Sequence, residues 1–146
     1  MSELWVYDDG GRADAGYKGH TGDCCVRAIS IAACMPYQDV YDLVNAAGAK
    51  ERRSKRRARK SSARRGIYGP TMRRLMASLG WLWTPTMGIG TGCKVHLRAD
   101  ELPGGRLIAS LSRHCAAVID GIIHDLHDCS REGTRCVYGY WTQLPD

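Results

Sequence analysis

The sequence contains no phenylalanine, so Trp, Tyr, Leu, Ile and Met must supply the large side chains of its core. It has no apolar run near the roughly 20 residues that a membrane-spanning helix needs. It also has no Cys-x-x-Cys pair, the spacing typical of structural zinc sites. These absences argue against a membrane protein and a zinc finger. The length of 146 residues suits a single domain over 1–146.

The seven cysteines are odd in number and irregular in spacing. No N-terminal segment resembles a signal peptide, so we expect a cytoplasmic protein whose thiols are free or metal-bound. Zinc is the alternative to weigh, because Cys93 and His96 form a short pair and further His and Cys residues follow (His124, His127, Cys129 and Cys136). Their irregular spacing disfavours that alternative. We predict neither a metal nor a cofactor.

The net charge of +6 is concentrated in one segment. Residues 50–65 hold 10 of the 21 basic residues and one acid, Glu51, which leaves the remainder mildly acidic. We expect an exposed, mobile insertion at about 50–66. It is a solvated loop, a polyanion-binding arm for nucleic acid, or a tether for an acidic protein substrate. The candidate polyanion-binding residues are Arg52, Arg53, Lys55, Arg56, Arg57, Arg59 and Lys60.

Hydrophobic periodicity divides the chain into helices first and strands second. A short strand at residues 4–7 is followed by a glycine-rich loop and then by apolar residues at i, i+3, i+4 spacing. We predict helices at about 24–34, 36–48 and 70–80, and strands at about 81–83, 106–111, 114–119, 122–127 and 136–141. This order predicts an α+β domain in which N-terminal helices pack on a C-terminal antiparallel sheet.

Cys24 is the leading candidate nucleophile. It follows Asp23, a typical N-cap residue, and precedes an apolar stretch, so it should lie in the first turn of a helix. The helix dipole and the unpartnered amide hydrogens there favour the thiolate. Cys25 is the rival nucleophile, about 100° further round the helix. One of the two should face a cleft and the other the core.

A predicted hairpin places a base and an acid on one face of the sheet. Asp120-Gly121 is a strong type I′ turn signal, which pairs Ile119 with Ile122. His114 and Asp125 then share a face as diagonal neighbours. His114 would deprotonate Cys24 and Asp125 would orient the imidazole. A one-residue slip would exchange Asp125 for Asp128.

These motifs resemble those of papain-like cysteine peptidases, and among them most closely small, mostly uncharacterised phage and prophage proteins. The similar segments are Gly22-Asp23-Cys24, Ser112-Arg113-His114, 117–121, His124-Asp125 and 129–141. The resemblance implies a papain-like fold and a thiol hydrolase with a Cys24–His114–Asp125 triad, acting on a protein or peptide. A phage origin would place it in the host cytoplasm, acting on a host protein.

One position departs from that pattern. Papain-like peptidases usually carry a Gln about six residues before the nucleophile, where it donates to the oxyanion. Here the residue is Lys18, and His20, Thr21 or backbone amides at the helix start could substitute. Deamidation and acyl transfer therefore stay open beside peptide hydrolysis. So does an inactive papain-like scaffold whose basic arm binds nucleic acid or a host partner.

Overall fold

A computed structural model describes residues 4–19, 22–52 and 59–144. Three helices and six strands make up a mixed α+β fold, which confirms the predicted class. The elements in chain order are β1 (Trp5–Tyr7), α1 (Cys24–Ala33), α2 (Tyr37–Ala49), α3 (Gly69–Ser78), β2 (Trp81–Pro85), a short 3₁₀ turn (Ala99–Glu101), β3 (Arg106–Leu111), β4 (His114–Ile119), β5 (Ile122–Asp125) and β6 (Gly139–Gln143). Among the described helices, none has both the length and the apolar character that crossing a membrane requires.

The six strands form one sheet in the order β1-β5-β4-β3-β6-β2. Every neighbouring pair is antiparallel except β1 and β5, which run parallel with Trp5 opposite Ile123. The prediction of a purely antiparallel, C-terminal sheet is therefore wrong for β1, which is N-terminal and pairs in parallel. The N-terminal strand returns to the sheet edge because the long connection through the helices allows a parallel pairing that a tight turn does not.

The hairpin between β4 and β5 has the predicted register. Ile119 pairs with Ile122, and Asp120 and Gly121 have φ values of 50° and 82°, as a type I′ turn requires. The last strand differs from the prediction, since it begins at Gly139 rather than at Cys136. Glycine is needed at position 139, because a Cβ atom there would lie only 2.3 Å from the ring of Trp83.

Apolar side chains cover both faces of the sheet. One core joins the helices to the face of the sheet that carries Ile108, Ala117 and Trp141. A second core lies on the other face, where Leu107 and Val118 pack under side chains from the long loops. The site described below lies where the start of α1 meets β4 and β5.

The described part of the basic insertion is anchored to the helices. The buried carboxylate of Glu51 accepts hydrogen bonds from the hydroxyls of Ser61 and Thr71. Gly48 lets the chain approach closely, because a Cβ there would lie 1.9 Å from the carbonyl oxygen of Ser61. Ser61 and Ala63 are buried, so the prediction of a wholly exposed insertion is wrong. Its residues 53–58 lie outside the described ranges.

Two cysteines are not free. Cys93 and Cys136 form a disulfide with their Cα atoms 5.8 Å apart. The expectation that all thiols are free or metal-bound is therefore wrong for this pair. An isolated antiparallel β-bridge between His96 and Cys136 brings the segments that carry the two cysteines together. Because both sulfurs are in the disulfide, neither is free to bind zinc.

Candidate active site

Asp23 occupies the N-cap position of α1 without capping it. Its side chain makes no hydrogen bond to the first-turn amides. Oδ2 instead accepts a hydrogen bond of 2.7 Å from the hydroxyl of Tyr37, and Oδ1 accepts one of 3.1 Å from Nε of Arg27. Arg12 lies 3.7 Å from Oδ2. The predicted N-cap position of Asp23 is confirmed, but its carboxylate, 1% exposed, binds cationic and hydroxyl partners instead of the helix amides. The first amides of α1 thus receive no hydrogen bond from the Asp23 side chain.

Asp125 connects α1 to the imidazole of His114. Its Oδ1 accepts a 2.7 Å hydrogen bond from Nη1 of Arg27 and another of 2.7 Å from the amide of Leu126. Its Oδ2 lies 2.6 Å from Nε2 of His114. The contact expected from the hairpin register is present. Because Nε2 is held by Asp125, Nδ1 is the ring nitrogen left for other partners.

Charge pairing shifts the pKa values of Asp125 and His114 in opposite directions. Burial raises the pKa of Asp125, but the hydrogen bond and charge of His114, together with the Leu126 amide and Arg27, hold that pKa below its usual range. Burial lowers the pKa of His114, but hydrogen bonds with Asp125, Cys129 and Cys24 outweigh burial and raise it to about 11. His114 is therefore an imidazolium at neutral pH, and its Nε2–H donates to Asp125.

Cys24 lies at the first position of α1 beside two further thiols. The Sγ atoms of Cys24, Cys25 and Cys115 are all within 4.8 Å of one another, and those of Cys25 and Cys115 are 3.1 Å apart. Hydrogen bonds from Cys115 and Cys25 lower the pKa of Cys24, and the nearby His114 imidazolium lowers it further, against the effect of burial. Of the three thiols, Cys24 is the one whose pKa is lowered.

The structure separates the rival residues that the sequence left open. Cys24 is half-buried, whereas Cys25 is 7% exposed and packs in the helix core. Hydrogen bonds with Cys115 and Cys24, together with burial, raise the pKa of Cys25. Asp128 is exposed and accepts a hydrogen bond from the amide of Ser130, so Asp125 is the carboxylate on His114.

The other predicted site residues lie apart from this cluster or outside the described ranges. Lys18 is exposed in the loop before α1, while His20 and Thr21 are not described. Of the polyanion-binding candidates, Arg52, Arg59 and Lys60 are exposed, and Nζ of Lys60 donates to the carbonyl of Ala49. Arg53, Lys55, Arg56 and Arg57 fall outside the described residues.

Two members of the cluster escaped the sequence analysis. Arg27 bridges Asp23 and Asp125 although it lies within an apolar helix. Its position four residues after Asp23 was a signal, since oppositely charged residues at that spacing share a helix face. No pattern in the sequence indicated that Cys115 belongs to the cluster, because its closeness to Cys25 depends on how α1 packs across β4.

Several described cavities lie away from Cys24. One of about 450 Å³ lies by the second core, between the turn at Gly121 and the loop segments at Leu97 and Gly133. Within the described ranges, two groups of side chains hold ligand atoms close enough for a metal ion: the three thiols, and His114 with Asp125 and His127. His114 and Asp125 already bind each other, so the second group has little free ligand capacity.

A comparison with protein-family models, curated proteins and solved structures gives no match for this chain. The papain-like assignment therefore stays a proposal.

We expect the substitution Arg27→Met to cost about 3–5 kcal/mol of unfolding free energy, because it leaves two buried carboxylates without their shared cation. The loss should shrink as the pH falls from neutral, since an unpaired buried carboxyl has a raised pKa and can take up a proton. Urea unfolding at several pH values measures both effects.

Arg98→Met is the matched control. Arg98 pairs with Asp100 on the surface, where an ion pair contributes at most about 1 kcal/mol. Equal losses for the two substitutions would contradict a buried bridging role for Arg27.

Proposed function

We propose that the protein is a thiol hydrolase in which Cys24 is the nucleophile, His114 the acid and base, and Asp125 the residue that orients His114. The observation that carries the proposal is the imidazole of His114, whose Nε2 lies 2.6 Å from Oδ2 of Asp125 and which contributes to the lowered pKa of Cys24 at the start of α1. A nucleophile, a base and a group that orients the base are the parts that acyl transfer requires.

In the first step, the Cys24 thiolate attacks the carbonyl carbon of the substrate. The His114 imidazolium then gives its proton to the leaving group, which departs as the acyl thioester forms on Cys24. The uncapped amides at the start of α1 point their hydrogens toward the helix N-terminus, where an oxyanion can be stabilised. They take the place of the Gln that papain-like peptidases use, since Lys18 is exposed.

Acylation itself prepares the second step. The thiolate raises the pKa of His114 by charge and hydrogen bonding, and that contribution disappears once the sulfur is acylated. The pKa of His114 then falls, and the neutral imidazole can deprotonate a water that attacks the thioester. Asp125 remains bound throughout and keeps the ring oriented.

We propose a peptide or protein amide as the substrate, in line with the papain-like resemblance. The same steps also fit deamidation of a side-chain amide or transfer of the acyl group to another acceptor. Which of these occurs depends on what binds beside Cys24 and on whether water reaches the thioester.

An activated ester tests the chemistry without knowledge of the substrate. With 4-nitrophenyl acetate, we expect a burst of one equivalent of nitrophenolate and an acetyl group on tryptic peptide 19–27. The burst rate should change little between about pH 6 and 9, because the pKa of Cys24 is lowered well beneath that of an ordinary thiol, about 8.5.

Three variants make this test specific. Cys24→Ser should abolish the burst, and His114→Ala should slow it by about 10²–10⁴ near pH 6. The rate of His114→Ala should climb with pH, since its thiol then ionises without the imidazolium. Cys34→Ser, which changes an exposed thiol at the far end of α1, should keep the full burst. Acetyl groups spread equally over several cysteines would refute the proposal.

The second candidate is an inactive scaffold whose basic arm binds nucleic acid. The observation in its favour is that Arg52, Arg59 and Lys60, which flank residues 53–58 in the sequence, are exposed. Binding through phosphates would be independent of base sequence and steeply dependent on salt. No aromatic side chain lies between Lys50 and Arg65, which disfavours base stacking.

For this candidate, we expect duplex DNA of arbitrary sequence to bind with an affinity that falls with salt. Replacing Arg53, Lys55, Arg56 and Arg57 by Gln should make the negative slope of log K against log salt shallower, by up to about 0.9 for each lost phosphate contact. Fluorescence anisotropy measures the slope. Replacing the surface residues Arg98 and Arg131 by Gln is the control, and an equal decrease there would refute a specific role for the arm.

A further inference from the structure

Three free thiols meet at the start of α1, where the proposed function uses only one. Cys24 and Cys25 come from the helix and Cys115 from the second position of β4. The two other free cysteines are not part of this trio: Cys34 is exposed at the end of α1, and Cys129, buried in the second core, interacts with His114 rather than with the three sulfurs. A single buried thiol is ordinary core packing. Three mutually close sulfurs beside an imidazolium form a reactive group.

Cys24 is the thiol of this group that oxidants attack first. It is half-buried, whereas Cys25 is buried. Its pKa is lowered by its thiol neighbours and His114, while the pKa values of Cys25 and Cys115 are raised by their hydrogen bonds in the same group and by burial. Hydroperoxides react with thiolates rather than with thiols. Burial therefore disfavours Cys25, and the position of Cys24 in the first turn of α1, together with its lowered pKa, selects it over Cys115, which is equally half-buried.

Cys115 is the thiol placed to react with an oxidised Cys24. Adjacent Cα atoms such as those of Cys24 and Cys25 are about 3.8 Å apart across a trans peptide. Disulfides usually need about 4.4–6.8 Å, and the helix fixes that peptide. Cys115 approaches instead from a different element, with its sulfur within 4.8 Å of that of Cys24.

We propose that Cys24 and Cys115 form a reversible oxidation site for hydroperoxides, with Cys115 as the resolving thiol. The Cys24 thiolate attacks the outer peroxide oxygen, the O–O bond breaks, and the sulfenic acid forms as an alcohol or water leaves. The Cys115 sulfur then attacks the Cys24 sulfur, the S–O bond breaks, and the hydroxyl leaves as water with the proton of Cys115. Two thiols and one hydroperoxide thus give one disulfide, one alcohol and one water.

The imidazolium of His114 favours both steps. In the first it lowers the pKa of Cys24 and gives its proton to the departing alkoxide or hydroxide, and in the second the neutral ring can pass the proton of Cys115 to the departing hydroxyl. The consequence for the enzyme is protection. A nucleophile locked in a disulfide is inactive but recoverable by a reducing thiol, whereas a sulfinic acid is lost. This inference rests on the thiolate assigned to Cys24 in the proposed function.

The test treats the 146-residue protein with hydrogen peroxide, one equivalent to form the disulfide and two equivalents where sulfinic acid is measured, and maps tryptic peptides without reduction. We expect peptide 19–27 to be linked to peptide 114–131, and dithiothreitol to release the link. In Cys115→Ser and Cys115→Ala the link should be absent, and sulfinic acid should accumulate on peptide 19–27 roughly tenfold faster than in the wild type. Cys34→Ser should behave as the wild type.

Two results would overturn the proposal. One is the same link forming in Cys24→Ser at the wild-type rate, which would show that Cys25 and Cys115 react directly. The other is sulfinic acid accumulating equally fast with and without Cys115. The readout is a peptide mass and needs no substrate, so it is independent of the acetylation test. If no acetyl group forms on Cys24 but the disulfide link does, the hydrolase proposal is refuted and the oxidation site stands.

Discussion

The carboxylate of Asp125 is the group on which the candidate site depends. It is 2% exposed, and a buried charge of this kind is stable only when its partners are fixed around it. Arg27 and His114 are those partners, at 2.7 and 2.6 Å. Asp23 neutralises the far side of Arg27, so charges alternate from Asp23 through Arg27 and Asp125 to His114. The start of α1 is thereby bound to β4 and β5.

The same alternation explains the chemistry. The pKa of His114 is raised because Asp125 and Cys24 stabilise its imidazolium, and the pKa of Cys24 is lowered because two neighbouring thiols and His114 stabilise its thiolate. Neither group would be charged if it were buried alone. The same buried ion pairs thus bind α1 to the sheet and underlie the proposed reactivity.

The sequence carried enough information for the parts of the site that depend on local geometry. The turn at Asp120-Gly121 sets the register of β4 and β5, and the register alone places Asp125 beside His114. The helices and most strands follow from periodicity in the same way. The parallel pairing of β1, the approach of Cys115 to α1 and the bridging by Arg27 depend on how distant elements pack. No local pattern encodes that packing.

The most direct test of the account is the protonation of His114, observed by ¹⁵N NMR of the imidazole in wild type and Cys24→Ser. With a pKa of about 11, the ring should keep both nitrogens protonated near pH 8, well above the ordinary histidine pKa of about 6.5. In Cys24→Ser it should titrate at lower pH, because the thiolate charge is gone. A neutral imidazole near pH 8 in the wild type, or identical titrations in the two proteins, would contradict the imidazolium–thiolate pair.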